Sequence, residues 1–296
     1  DCPPVLRVLS RRSGRTAALP YLPPKSGHYI TGETSVEKKQ NPVYYCGIDL
    51  HSDNNVVGVI DSDGNRLSLK RSANDLEAIK KALNPFAENL EGIVVESTYN
   101  WYWLVDGLQE AGFKLHLANP AATEQYSGLK HGDDETDTWW LAELLRLKLL
   151  KEGYIYPRAE RAVRDLLRKR GQLVRMRTQN ILSIQNLTCR NTGGRLSGTQ
   201  VKQLTAEDVK ELYKEETERG LAVICSLNVI KTLKQQIEAI EKKVKSRIKL
   251  TQPYQLLMTI SGIGEILAMV IMLEAGEMSR FPSVGNFSSY CRCVKS

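Results

Sequence analysis

The chain has 296 residues, 42% of them hydrophobic and 25% charged, with a formal net charge of +7. These values fit two or three globular domains with a sizeable core. They give no sign of a membrane span: the most apolar stretch, Ile266 to Leu273, is short and bounded by Glu265 and Glu274. The six Cys (2, 46, 189, 225, 291 and 293) form no CxxC pair, so they read as reduced thiols of a cytosolic protein rather than a zinc site or a disulfide framework. The charge is unevenly placed. Residues 43–150 carry 9 Lys/Arg against 17 Asp/Glu, and the remainder carries 32 against 17. An acidic module beside a basic one suits a metal-dependent enzyme acting on a polyanion, or simply solvated faces of opposite sign.

Residues 1–42 contain Pro3, Pro4, Pro20, Pro23, Pro24 and Pro42 without periodicity, and read as a disordered extension with no signal peptide. Order is expected from Val43. A first strand, Val43 to Leu50, ends near an acid, Asp49. A second, Val56 to Ile60, leads through the turn Asp61-Ser62-Asp63-Gly64-Asn65 to a third, Arg66 to Lys70. Asn74 or Asp75 caps a helix through Leu83. Gly92 to Glu96 is an apolar strand that also ends in an acid. Trp101 to Glu110 is a helix, Phe113 to Leu117 a short strand, and Asp134 to Leu150 a helix with Leu141, Leu144, Leu145 and Leu149 as its apolar stripe. Strands in hairpin order followed by alternating strands and helices predict an α/β domain, a mixed sheet flanked by helices, over residues 43–150.

After Pro157 the pattern becomes helical. Glu160 to about Leu187 reads as one long helix, and residues 158–177 hold eight Lys/Arg against two acids. Residues 191–200 read as a loop, Ala206 to Leu212 as a short helix, and Gly220 to Leu250 as a second long helix. Its residues Ile230, Leu233, Ile237, Ile240 and Val244 step 3-4-3-4, a coiled-coil seam that packs within the chain or against a second copy. The expected division is an arm over 151–252, projecting from the catalytic body, and a small α-helical C-terminal domain over 253–296. That domain holds Ser261-Gly262-Ile263-Gly264, a helix to Ala275 and another from Val284 to Tyr290. It is expected to be truncated at Ser296.

Four acids draw attention: Asp49 and Glu96 at strand ends, and Asp134 and Asp137 on the first turns of a helix. Residues three apart share a helix face, so Asp134 and Asp137 point the same way. Asp133 and Asp137, four apart, would also share a face, and spacing favours Asp134. Converging carboxylates repel unless a cation lies between them. Hard oxygen donors favour Mg2+ or Mn2+, whose chemistry suits phosphodiester cleavage. The competing reading is strand-end turn acids and helix-start acids favoured by the dipole. His51 reads as a bystander in a loop. Arg161, Arg164, Arg168, Lys169, Arg170, Arg175 and Arg177 can track a phosphate backbone, or form a solvated face.

Gly47-Ile48-Asp49, Val94-Val95-Glu96-Ser97-Thr98, and Lys130 with Asp134-Glu135-Thr136-Asp137 resemble the DEDD-type transposases of bacterial insertion sequences. The second half of the chain, with its long helices and Ser261-Gly262-Ile263-Gly264, is also similar to that family. The resemblance implies a ribonuclease H-like fold close to that of the Holliday-junction resolvase RuvC. It implies Asp49, Glu96, Asp134 and Asp137 as metal-binding acids, DNA as substrate, a guide RNA and a homo-oligomer as partners, and a cytoplasmic, nucleoid-associated setting. It also implies a serine nucleophile beyond Ser296, so a chain ending there would bind metal and nucleic acid without completing strand transfer. The sequence departs from the family at Thr138, where Ala is usual. Two other readings stand beside it: a nucleic-acid-binding transposase remnant, and an actin-like ATPase. The second lacks a glycine in His51-Ser52-Asp53-Asn54-Asn55 to cradle phosphate.

Overall fold

The computed structural model describes residues 41–120, 133–247 and 251–293. Nearly all of the expected N-terminal extension, and Lys130 and Ser296, lie outside them. The chain divides into two compact units, with the boundary between Ile155 and Tyr156.

The first unit is a five-stranded mixed sheet in the order β3-β2-β1-β4-β5. Strands β1 (Tyr44–Leu50), β2 (Asn54–Asp61) and β3 (Arg66–Ala73) form an antiparallel meander, while β4 (Leu90–Glu96) and β5 (Leu115–Ala118) add in parallel beside β1. Every predicted strand is present. Gly64 takes φ +85°, the left-handed conformation that glycine tolerates, and closes the β2–β3 hairpin.

Side chains alternate across β1. Cys46, Ile48 and Leu50 face one side, in a core with Ile79 and Leu83 of α1 (Leu76–Leu83) and Leu104, Val105 and Leu108 of α2 (Tyr102–Glu110). Burial of this kind contributes roughly 1.5–3 kcal/mol for each large apolar side chain. Asp75 caps α1 by accepting from the amides of Glu77 and Ala78. The opposite face of the sheet receives α3 (Asp134–Arg146), through Trp139 and Ala142 against Ile60, and Leu141 against Val94 and Ala118.

Helix α3 ends four residues before the predicted Leu150. Lys148 adopts φ +58°, and the amides of Leu149 and Leu150 turn back onto the Leu144 carbonyl. This turn leaves Leu149 exposed instead of on the apolar stripe, and folds Leu150 back against the core. Residues 151–153 then run beside β5, with Asn119 and Gly153 bonded across to Lys151 and Leu117.

The second unit is helical. Helices α4 (Arg158–Thr192) and α7 (Thr217–Arg247) pack antiparallel along their length: Ile181 and Ile184 meet Val223, Leu227 and Ile230; Leu173 meets Leu233 and Ile237; Leu167 meets Val244. The predicted seam therefore packs against α4 of the same chain. Gly171 does not interrupt α4, and Gly193, at φ +69°, ends it.

Between the long helices lie α5 (Gly198–Gln203) and α6 (Ala206–Leu212). The first falls partly in the segment predicted as loop. Its start is a capping box, Ser197 with Gln200, a signal readable in the sequence. Pro253 sits in the first turn of α8 (Gln252–Met258), where its missing N–H costs nothing. Helix α9 (Glu265–Ala275) buries Ala268, Met269 and Leu273 against Leu167 and Val244, so the C-terminal segment shares a core with the long helices. Helix α10 (Val284–Tyr290) follows as predicted. Among the described residues, no helix is long and apolar enough to cross a membrane.

Candidate functional site

Two glycines bring the acids of different elements together. Gly47 and Gly58 face each other across β1 and β2. A Cβ on Gly47 would lie 2.1 Å from the Thr138 carbonyl oxygen and 2.9 Å from the Ala142 nitrogen; one on Gly58 would lie 2.6 Å from Thr138 Cγ2. Their bare backbones form a groove into which α3 settles. Thr138, fully buried there, donates its hydroxyl to the Asp134 carbonyl at 2.8 Å and approaches the Val56 carbonyl at 3.4 Å. The departure from alanine at this position is thus accommodated with its polar group satisfied.

Asp49 lies two residues beyond Gly47 and faces the same side, beneath the first turn of α3. Glu96 follows Val95, the partner of Ile48, and shares the face of Val94, which packs on α3. Both acids stand at the C-terminal ends of adjacent parallel strands, where sites in α/β sheets gather. Asp133 is the N-cap of α3, accepting from the Thr136 amide at 2.6 Å, and Asp134 turns to the site instead.

His51 occupies the centre. Its Nε2 is 3.2 Å from Asp49 Oδ2 and 3.2 Å from Asp134 Oδ1. The Nε2 atom is itself buried, although the His51 side chain as a whole is 38% exposed, and it has good hydrogen-bond alignment with neither carboxylate. The backbone of His51 is clamped. Its amide donates to the Asn54 carbonyl at 2.9 Å, and its carbonyl accepts from Asn100 at 2.7 Å and Asn74 at 3.0 Å. Thr98 orients Asn100, and the fully buried Asn55 orients Asn74. Arg71 of β3 donates to Asp134 Oδ2 at 2.7 Å.

The electrostatics are those of gathered like charges. Burial pushes the Asp49 carboxyl up to about 6; His51 opposes that rise, while Glu96, Asp137 and Asp134 add to it. Asp134 is held below the usual carboxylate range, chiefly by its hydrogen bond from Arg71. Glu96, Asp137 and Asp134 thus lie near enough to act on the Asp49 charge, but among the described residues only Asp134 of these acids comes within ligand-sharing distance of it; Glu96 and Asp137 do not. Asp49, His51 and Asp134 each offer one ligand atom, all within 4.8 Å of one another. Carboxylate oxygens with one imidazole suit a divalent cation, and the buried Nε2 without a hydrogen-bond partner fits such a site. His51 was underrated as a bystander, and Arg71 was missed. A place one residue past the end of β1, close behind Asp49, was the available signal for His51.

The seven basic residues predicted for nucleic acid fall into different settings in the second unit. Arg161 and Arg164 are buried, at 4% and 7% exposure, and do not form part of a solvent-facing strip. The Arg161 Nε donates to the Tyr156 carbonyl at 2.6 Å. Arg164 stacks 3.6 Å from the centre of the Tyr156 ring and pairs with Glu274 at 2.9 Å. Arg168 pairs with Glu274 at 2.6 Å, and Arg170 with Glu241 at 2.7 Å. The hydroxyls of Tyr156 and Tyr290 both donate to the Glu274 carbonyl. Exposed Lys169 bonds only its neighbour Gln172, and among the described residues Arg175 and Arg177 form no ion pair. Helix packing explains the division: the face of α4 bearing Arg161 and Arg164 is the one turned to Tyr156 and α9.

A mixed sheet with acids at its central strand ends and a covering helix fits an α/β domain of the ribonuclease H-like kind. A transposase model of the IS110 DEDD type matches residues 46–188, and a second, described as the transposase IS116/IS110/IS902 family, matches residues 254–296. Together they span more than half of the chain, which belongs to the IS110-type transposases of insertion sequences, enzymes that cut and rejoin DNA. No curated protein matches it. A DEDD domain suggests the use of a divalent metal, and the cluster of Asp49, His51 and Asp134 is the candidate for holding it. The actin-like reading is thereby set aside.

Proposed function

We propose that Asp49, Glu96, Asp134 and Asp137 hold Mg2+ or Mn2+ for DNA strand cleavage and rejoining during transposition. The observation that carries this reading is the buried Asp49 carboxylate facing the first turn of α3, its carboxyl raised first by burial and then by the charges of Glu96, Asp137 and Asp134. A divalent cation bound there would neutralise the cluster, activate the attacking oxygen and stabilise the leaving one. The chain's own residues do the positioning. The Gly47–Gly58 groove sets the height of α3 over the sheet, and Arg71 holds Asp134 ionised and oriented. In the same reading, Lys169, Arg175 and Arg177 meet phosphate, while Arg161 and Arg164 hold the helix that carries them. A guide RNA, assembly of more than one copy and a cytoplasmic site of action at the nucleoid complete the proposal, all from the family resemblance. The test is calorimetric titration with Mg2+ and Mn2+, together with cleavage of a DNA junction in Mg2+. Binding and cleavage lost together in Asp49→Ala support the reading; cleavage that survives Asp49→Ala removes Asp49 from it.

A further inference from the structure

We infer that His51 is itself a metal ligand, a nitrogen donor completing the site with Asp49 and Asp134, and that it biases the site towards Mn2+ over Mg2+. The inference rests on the acidic residues above binding a divalent cation. Three features of the first unit carry it.

The first is spacing. Donors adjacent in an octahedral shell at about 2.1 Å from a cation are about 3 Å apart. Nε2 stands 3.2 Å from one oxygen of Asp49 and 3.2 Å from one oxygen of Asp134, the separation of neighbouring ligands. The second is direction. A histidine serving only as an ion-pair partner would aim its N–H along one carboxylate. Nε2 aligns with neither, and is buried. The third is preorganisation. Four side chains, Asn74, Asn100, Asn55 and Thr98, converge directly or in relay on the His51 carbonyl. They fix the backbone from which the partly exposed imidazole projects, so that Nε2 is presented between the two carboxylates.

The consequence is chemical. All-oxygen sites suit Mg2+, which binds imidazole poorly, whereas Mn2+ accepts a nitrogen ligand more readily. The experiment is pulsed electron paramagnetic resonance of Mn2+ bound to the full chain, read for 14N coupling, with competitive titration of Mn2+ against Mg2+. The expected result is a directly bound 14N in the wild type that disappears in both His51→Ala and His51→Gln. The variants' preference for Mn2+ over Mg2+ should fall about tenfold or more. Circular dichroism of each variant establishes that it is folded, and His51→Gln keeps much of the side-chain volume. Mn2+ bound without 14N coupling in the wild type, or coupling that persists in both variants, overturns the inference while leaving the acidic site standing. Absence of Mn2+ binding that depends on Asp49 overturns both.

Discussion

The two units each hold a cluster of charge around one buried member, Asp49 in the first and Arg164 in the second, and the clusters are built on opposite principles. Around Glu274, one carboxylate faces two arginines, and two tyrosine hydroxyls satisfy its backbone carbonyl. Burial alone would raise its pKa, but Arg168 and Arg164 outweigh it and hold the carboxyl below its usual value. Around Asp49, His51 stands between it and Asp134, Arg71 pairs with Asp134, and burial together with the charges of Glu96, Asp137 and Asp134 pushes the Asp49 carboxyl up to about 6. The first cluster is complete within the protein. The second carries more negative than positive charge, a balance that a bound cation would correct. Matched charge holds a fold together; unmatched charge, kept in place by well-satisfied neighbours such as Thr138 and Asn55, marks where the protein acts.

The largest effect that can break this contrast is on activity. Asp49→Asn keeps the shape of the side chain and removes its charge. DNA cleavage in Mg2+ should fall on the order of 10²–10³-fold or more, while the circular dichroism spectrum stays unchanged. Next comes the groove. Gly47→Ala places a methyl against the Thr138 carbonyl, where backbone cannot yield cheaply, and thermal melting should show a loss of about 3 kcal/mol. Affinity for Mn2+ should fall with it, because α3 carries Asp134 and Asp137.

In the matched cluster, Glu274→Ala leaves Arg164 buried without its carboxylate. Allowing for the partial exposure of Glu274, urea unfolding should report a loss of about 2 kcal/mol. The same pair sets a pH dependence. Because the folded pKa of Glu274 is depressed, its contribution is present above the ordinary carboxylate value of 4.5 and is lost as pH falls through the folded value. The stability difference between wild type and Glu274→Gln should therefore shrink on moving from pH 7 to below about 4. The smallest effect is on the exposed face of α4. Arg175→Ala should leave stability within about 0.5 kcal/mol and lower the salt dependence of DNA binding by about one charge. Binding that ignores this substitution would take Arg175 out of the nucleic-acid face.

Much of this was legible in the sequence, for identifiable reasons. Short apolar, β-prone runs bounded by turn residues located all five strands, and the 3-4 spacing from Ile230 to Val244 located the packed face of α7. The acids were visible because strand ends and helix starts are positions that sequence can fix. What stayed hidden depended on contacts between distant segments. The left-handed turn at Lys148 has no glycine to announce it. Arg161 and Arg164 look like any basic helix face until Tyr156 and Glu274 come to meet them. His51 looks incidental until Asp134, more than eighty residues away, arrives at its other side.

The central claim is that the Asp49 cluster binds a divalent cation. It is tested most directly by the thermal midpoint of the wild type and of Asp49→Asn, each with and without Mn2+. The account expects Mn2+ to raise the midpoint of the wild type, by an amount that grows with metal concentration, and to leave Asp49→Asn unmoved. It also expects Asp49→Asn without metal to be at least as stable as the wild type, since a buried, like-charged carboxylate has been removed. A wild type indifferent to Mn2+, together with an Asp49→Asn variant that is clearly less stable, would contradict it.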